Sequence, residues 1–317
     1  MADANITWIS GPVLRAHTQA DFRINEAALV GEQRLLGEVI RINGQEAVIQ
    51  VYENTTGLRP GDPVSGTGAA LSVTLGPGLL GNIFDGLLRP LTGQGRYVSP
   101  GVDRPDTHTL YPFTPLVKRG DRLSAGKAFD VVQRSDARAQ RCLVPPGCEG
   151  KVVSIEPAGE YGDDHPVCVL SCDDGDSREI SMSHPWPVRE PRPVAARMPV
   201  EGPLFTGQRI LDSMFPLACG GRAAMPGGFG TGKTVLQETL AKWCDADVIV
   251  YVGCGERGNE MAGVLHEFPS LADPRTGRPL MERTVIIANT SNMPVAAREA
   301  SIYTAVTVGE YFRDQGM

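Results

Sequence analysis

The sequence predicts a multidomain chain: a small N-terminal β-barrel, a second β-rich domain, and an α/β domain built around a phosphate-binding loop. Three observations predict it. Asn43-Gly44 lies between the strand-like runs 38–42 and 47–52, the signal of a tight hairpin with a type I′ turn. Residues 117–188 are short apolar runs broken by Gly, Asp and Pro, without helical periodicity. After Pro199, apolar strands alternate with helices, and residues 227–234 read Gly-Gly-Phe-Gly-Thr-Gly-Lys-Thr.

The elements follow in order. In 47–52, Ala47, Ile49 and Val51 alternate with Val48, Gln50 and Tyr52, as in a strand with one face turned into a barrel. Residues 1–70 are assigned to that barrel. Residues 71–116 are Gly- and Pro-rich connection with short apolar pieces at 71–75 and 87–91. The second β domain occupies 117–190, with strand-like runs at 126–132, 150–155, 167–170 and 179–182. Pro185, Pro187, Pro191, Pro193 and Pro199 make a stiff exit. The nucleotide domain fills 191–317. It opens with a helix at 206–214 and a weak strand at 219–226, and the loop leads into a helix over 234–243. A strand at 247–253, a helix at 259–268, a strand at 284–288 and a helix at 294–313 complete a parallel sheet covered by helices.

Composition narrows the function classes. At 317 residues, 41% hydrophobic and 21% charged, the chain is an ordinary globular sequence of two or three domains. Its net charge is −7 with no Lys/Arg cluster, which argues against nucleic acid as the main ligand. The start MADANITWIS has no basic segment before a long apolar run, and the longest buried-looking run, 248–252, is too short to cross a bilayer. A cytoplasmic location is therefore expected, with any membrane association coming through a partner. Seven cysteines without a C-x-x-C pair read as reduced thiols. His165, Cys168 and Cys172 are close in sequence but fit no standard zinc spacing.

The chemistry sits in two places. Gly227, Gly228, Gly230 and Gly232 let a loop curl so that its N–H groups, with those of Phe229, Thr231 and Val235 nearby, converge on phosphate oxygens. Lys233 reaches the β/γ-phosphates and the Thr234 hydroxyl ligates Mg²⁺. A glycine-rich surface turn is the competing reading, and it gives no reason for Lys-Thr ahead of a helix. Glu256 and Arg257 follow the next strand, and ligands of open α/β sheets gather at the carboxyl ends of strands. A carboxylate there orients or deprotonates the water that attacks the γ-phosphate, and a guanidinium stabilises charge on the transferring group. The alternative is an exposed strand-end ion pair or a helix-cap acid. No later strand ends in the Asp that phosphate-loop enzymes usually use for Mg²⁺: the strands end in Gly253-Cys254-Gly255-Glu256 and Asn289-Thr290.

The run Tyr251-Val-Gly-Cys-Gly-Glu256-Arg-Gly-Asn-Glu-Met261 resembles the signature of the catalytic A subunit of vacuolar/archaeal-type rotary ATPases, the V-type ATP synthase of bacteria. Asn54-Thr-Thr-Gly-Leu-Arg-Pro-Gly61, Leu75-Gly-Pro-Gly-Leu-Leu-Gly81, Leu143-Val-Pro-Pro-Gly147 and the run 288–301, Ala-Asn-Thr-Ser-Asn-Met-Pro-Val-Ala-Ala-Arg-Glu-Ala-Ser, agree with it. The resemblance runs from about residue 36 to the end. It implies an N-terminal β-barrel, an inserted β "bulge" domain at 117–190 and a RecA-like P-loop domain, incomplete at its C-terminus because the chain covers little over half of a family member. It implies ATP or ADP with Mg²⁺ as ligands. It implies B subunits alternating with A in an A3B3 ring, a central stalk, a peripheral stalk, and contact with the membrane only through that complex. By motif, Lys233 and Thr234 take the phosphate and Mg²⁺ roles, Glu256 orients water and Arg257 contacts the γ-phosphate. The sequence departs from the family at Gly228, where Pro is usual, and at Thr231, where eukaryotic members carry Cys. Two other readings stand beside it: a non-catalytic truncated subunit that docks neighbours or binds nucleotide weakly, and a relative such as a secretion ATPase or an RNA translocase.

Overall fold

The computed structural model describes residues 3–18, 21–91, 109–133, 139–173, 175–228 and 230–317. Six antiparallel strands close a barrel in the order β1-β2-β5-β4-β3-β6: β1 (Ala4–Ser10), β2 (Val13–Thr18), β3 (Glu26–Val30), β4 (Leu35–Asn43), β5 (Glu46–Val51) and β6 (Pro63–Ala70). The alternation seen in 47–52 is the cause of its inside-outside pattern. Ala47, Ile49 and Val51 are buried, and they meet Leu14, Val39 and Val64 at the centre. The hairpin at Asn43-Gly44 forms, but with a different turn. Asn43 pairs with Glu46, so Gly44 and Gln45 are the two loop residues, and Gly44 alone has positive φ, +59°. A glycine at the first central position defines type II′, not I′.

β7 (Ser72–Leu75) and β8 (Ile83–Phe84) follow the barrel, so the stretch expected as connection supplies strands to two other sheets. The second β unit contains β9 (Leu110–Phe113), β10 (Arg122–Leu123), β11 (Ala128–Val132), β12 (Gln140–Leu143), β13 (Gly150–Ile155), β14 (Gly159–Gly162), β15 (Pro166–Cys172) and β16 (Ser177–Ser181). Its main sheet runs β10-β13-β15-β16, and β11-β12 and β14-β9 are paired beside it around Phe113, Phe129 and Leu170. His165 stacks on Tyr161 at 5.2 Å, while Cys168 and Cys172 are buried free thiols of this core. Among the described residues no group of three His, Cys, Asp or Glu is placed to hold a metal. β17 (His184–Pro187) returns antiparallel to β7.

The last unit begins with β18 (Pro203–Leu204), α1 (Arg209–Met214) and β19 (Leu217–Ala218). Residues 219–226, expected as a weak strand, form none; Gly220, Gly221 and Arg222 run past without a ladder partner. Next come α2 (Lys233–Trp243), β20 (Ile249–Glu256), α3 (Gly258–Glu267), β21 (Thr284–Thr290) and α4 (Val295–Asp314). The sheet β20-β21-β8 is parallel throughout. Its central strand β21 is an almost continuous apolar run, because helices cover both faces. On one face Val285 and Ile287 pack on Ala296, Ala300 and Phe312 of α4; on the other Ile286 meets Val264 and Phe268.

Two ionic clusters join the units. Glu38 of β4 is buried and receives both Arg189 Nε and Nη2 at 2.8 Å, together with the Tyr52 hydroxyl. The Arg189 guanidinium lies 4.8 Å over the Tyr303 ring of α4. This clasp connects the barrel, the return segment and the nucleotide unit. Arg189→Ala leaves the Glu38 charge desolvated and unpaired, so it is expected to lower unfolding free energy by about 3 kcal/mol; urea unfolding checks this.

In the second cluster, buried His184 sits 3.1 Å from Arg192 Nη1 through Nε2, and Arg192 pairs with Asp314 at 2.6 Å. Arginine only donates, so Nε2 accepts and the ring is neutral. Burial, then the Arg192 charge, lowers the His184 pKa from 6.5 to about 4. As pH falls through that window the unfolded chain takes up the proton first. The contribution of the neutral ring is full above 6.5 and lost toward 4, by about 3 kcal/mol. Asp130, pushed up to about 6 by burial, acts in the opposite sense. Thermal melts of the parent and His184→Gln from pH 7 to 4 separate the two: the parent is expected to lose more stability than the variant.

Candidate active site

The phosphate loop is shaped by its glycines. Gly230 and Gly232 have φ of +75° and +80°, a left-handed setting that side chains resist. Gly232 is the N-cap of α2, and the first helical bond runs from Leu236 N–H to the Gly232 carbonyl at 3.0 Å. The N–H groups of Gly230, Thr231 and Gly232 have no acceptor among the described residues. Alternating chain handedness ahead of a helix N-terminus leaves such amides free for an anion. Thr231 Oγ1 donates to the Gly228 carbonyl at 2.9 Å and Lys233 Nζ to the Gly227 carbonyl at 2.6 Å, so both side chains arch back over the loop. Gly227 is packed under them: a Cβ there would lie 2.6 Å from Thr231 Oγ1. Thr234, half-buried in the first helical turn, has a hydroxyl without a protein partner among the described residues. A cation and phosphate fit this donor set: a lysine held only by a carbonyl, open amides and a spare hydroxyl. Val235 is exposed at 66%, and Phe229 lies outside the described residues.

Glu256 ends β20. The β20–β21 register breaks between Cys254 and Glu256, with Gly255 at φ +78°, and resumes at Glu256 opposite Thr290. Such a bulge re-aims the next side chain. The expectation stopped the strand at Gly253; the bulge carries it to Glu256. The Glu256 pKa is raised, first by burial, then by a hydrogen bond and charge from Glu260 and by the charge of Glu238, against a lowering by Arg257. Two of these were missed from sequence. Glu260 is one helical turn beyond Glu256, a readable spacing. Glu238 belongs to α2, the helix that starts at the phosphate loop, and only tertiary packing brings it here. Arg257, the N-cap of α3, is exposed and reaches Glu260 at 3.9 Å. No hydrogen bond or ion pair joins Lys233 to Glu256 among the described residues.

Comparison with known proteins agrees with this layout. Family models for the ATP synthase alpha/beta family match the β-barrel domain at residues 6–68, the barrel-sandwich domain at 102–189 and the nucleotide-binding domain at 207–317. The chain is 52% identical over 314 residues to the A subunit of the A-type ATP synthase of Desulfurococcus sp. (strain SY), covering 97% of this chain and 54% of that protein. It is 50% identical over 317 residues to the V-type ATP synthase alpha chain of Halothermothrix orenii, covering 98% and 54%. The chain thus spans about half the length of the curated relatives it matches. Among solved structures, the assembled ATPase EscN of the enteropathogenic E. coli type III secretion system superposes with a TM-score of 0.62 at 22% identity, covering 99% of this chain and 54% of that one, which is a likeness of fold. With all three domain models in register along it, the chain belongs to the ATP synthase alpha/beta family and is a homologue of the catalytic-type A subunits of A-type and V-type ATP synthases.

Proposed function

We propose that this chain forms the nucleotide-binding part of the catalytic subunit of a rotary V-type ATPase or ATP synthase. In this reading it binds ATP and ADP with Mg²⁺, and hydrolysis or synthesis is coupled to proton or sodium transport across a membrane. It alternates with B-type subunits in an A3B3 ring around a central stalk, braced by a peripheral stalk. It stays on the cytoplasmic side and meets the membrane only through the complex. Among the described residues no helix is long and apolar enough to cross a membrane.

The observation that carries the reading is the loop itself: open amides at Gly230, Thr231 and Gly232, and Lys233 held over Gly227 at 2.6 Å. Phosphate oxygens displace that weak carbonyl contact and take the lysine and the amides together. Thr234 supplies an oxygen to Mg²⁺, which bridges the β- and γ-phosphates and neutralises charge there. Glu256 accepts a hydrogen bond from the attacking water and turns its lone pair toward phosphorus. Arg257 adds positive charge at the transferring group. A single-turnover assay of the protein with and without its B-type partner tests this. ATP cleavage is expected in the assembled pair; no cleavage in that pair contradicts the reading.

A further inference from the structure

The turn that aims Glu256 is built against α4 through one residue, Arg298. A Cβ placed on Gly255 would lie 3.0 Å from Arg298 Cδ and 3.3 Å from its Nη1, so the side chain lies directly over the glycine. The Cys254 thiol donates to the Arg298 carbonyl at 3.1 Å, and Ser291 N–H donates to the Glu256 carbonyl at 2.8 Å. The turn is thus gripped on three consecutive residues. Arg298 is otherwise unusual. Arg89, Arg189, Arg192 and Arg283, which also bridge packed elements, each hold a carboxylate. Arg298 forms no ion pair among the described residues, and its Nε is buried without an acceptor. An interior donor left unmade is destabilising, so packing alone is a poor reason for a guanidinium here.

We propose that Arg298 is a positioning residue for Glu256: laid across Gly255, it holds the bulge in its left-handed setting and so fixes where the carboxylate points. The inference rests on the water-orienting reading of Glu256. Glycine at φ +78° has other conformations open to it. With the cover removed, the bulge relaxes and the carboxylate moves. A displacement of about 1 Å costs up to about 100-fold in rate. Arg298 has no part in holding nucleotide, so the loss falls on kcat and not on KM.

The test is steady-state MgATP turnover of the complete rotary complex carrying each variant. Arg298→Ala is expected to lower kcat by about 10- to 100-fold with KM changed less than about twofold. Arg298→Lys, which keeps the stem over Gly255, should recover most of the rate. Gly255→Ala disturbs the same contact from the other side, and the double variant should be no slower than the slower single one. A kcat for Arg298→Ala within about twofold of the parent overturns the proposal, as does a raised KM at unchanged kcat. Should Arg298→Ala fail to assemble, Gly255→Ala decides alone, and full turnover in it is contradictory. Glu256→Gln is run in parallel. If that variant still turns over, the reading of Glu256 falls; if it is inactive while Arg298→Ala is fully active, only the role of Arg298 falls.

Discussion

Lys233→Ala is expected to weaken MgATP binding by at least about 100-fold, read by calorimetry on the full-length protein. The basis is charge. Lys233 Nζ rests on a neutral carbonyl of Gly227 in the absence of nucleotide, so the ammonium is held at the mouth of the loop with no anion to surrender. Bound triphosphate gains a charge-assisted hydrogen bond worth about 1.5–3 kcal/mol, and alanine forfeits it. The backbone should be unaffected, because the turn is set by Gly230 and Gly232 and not by the lysine. Unchanged affinity in the variant would mean that triphosphate binds elsewhere.

The second large effect concerns Glu256. Glu256→Gln removes the base but keeps the shape, so ATP should still bind while turnover drops by about 100-fold or more. The acid side of the pH–rate profile carries a further signature. Burial and Glu260 raise the Glu256 pKa. The carboxylate therefore takes up its proton, and activity declines, at a higher pH than for an ordinary glutamate. Glu260→Gln withdraws a negative charge, lowers the Glu256 pKa and should move that limb to lower pH. A limb that stays in place in Glu260→Gln would show that another group titrates.

What was legible in the sequence follows from how local each feature is. The phosphate loop was readable because its chemistry lies in eight consecutive residues, Gly227 to Thr234, ahead of a helix. The barrel hairpin was readable from alternation in 47–52, but its turn type was not. Asn43 stays paired with Glu46, and only the closure of the ladder decides which two residues form the loop. The strand at 219–226 failed because apolar content alone makes no strand without a neighbour to complete the ladder. β8 escaped notice for the converse reason. Ile83 and Phe84 are too short to show a period, and they are a strand only because β21 offers them Ile286 and Ile287. At the site, Glu256 was found from its position after a strand. Glu238 and Arg298 were not, because α2 and α4 bring them in from opposite ends of the nucleotide unit.

The central claim is that the amides before Lys233 form an anion cradle and that Glu256 faces it. A structure of the full-length protein with MgADP and a planar phosphate mimic tests this most directly. The account predicts phosphate oxygens about 3 Å from the N–H groups of residues 230–233, and the Glu256 carboxylate within hydrogen-bond reach, about 2.6–3.2 Å, of the water in line with the mimic. A nucleotide seated away from the loop, or a carboxylate turned to the far side of the sheet, would contradict it.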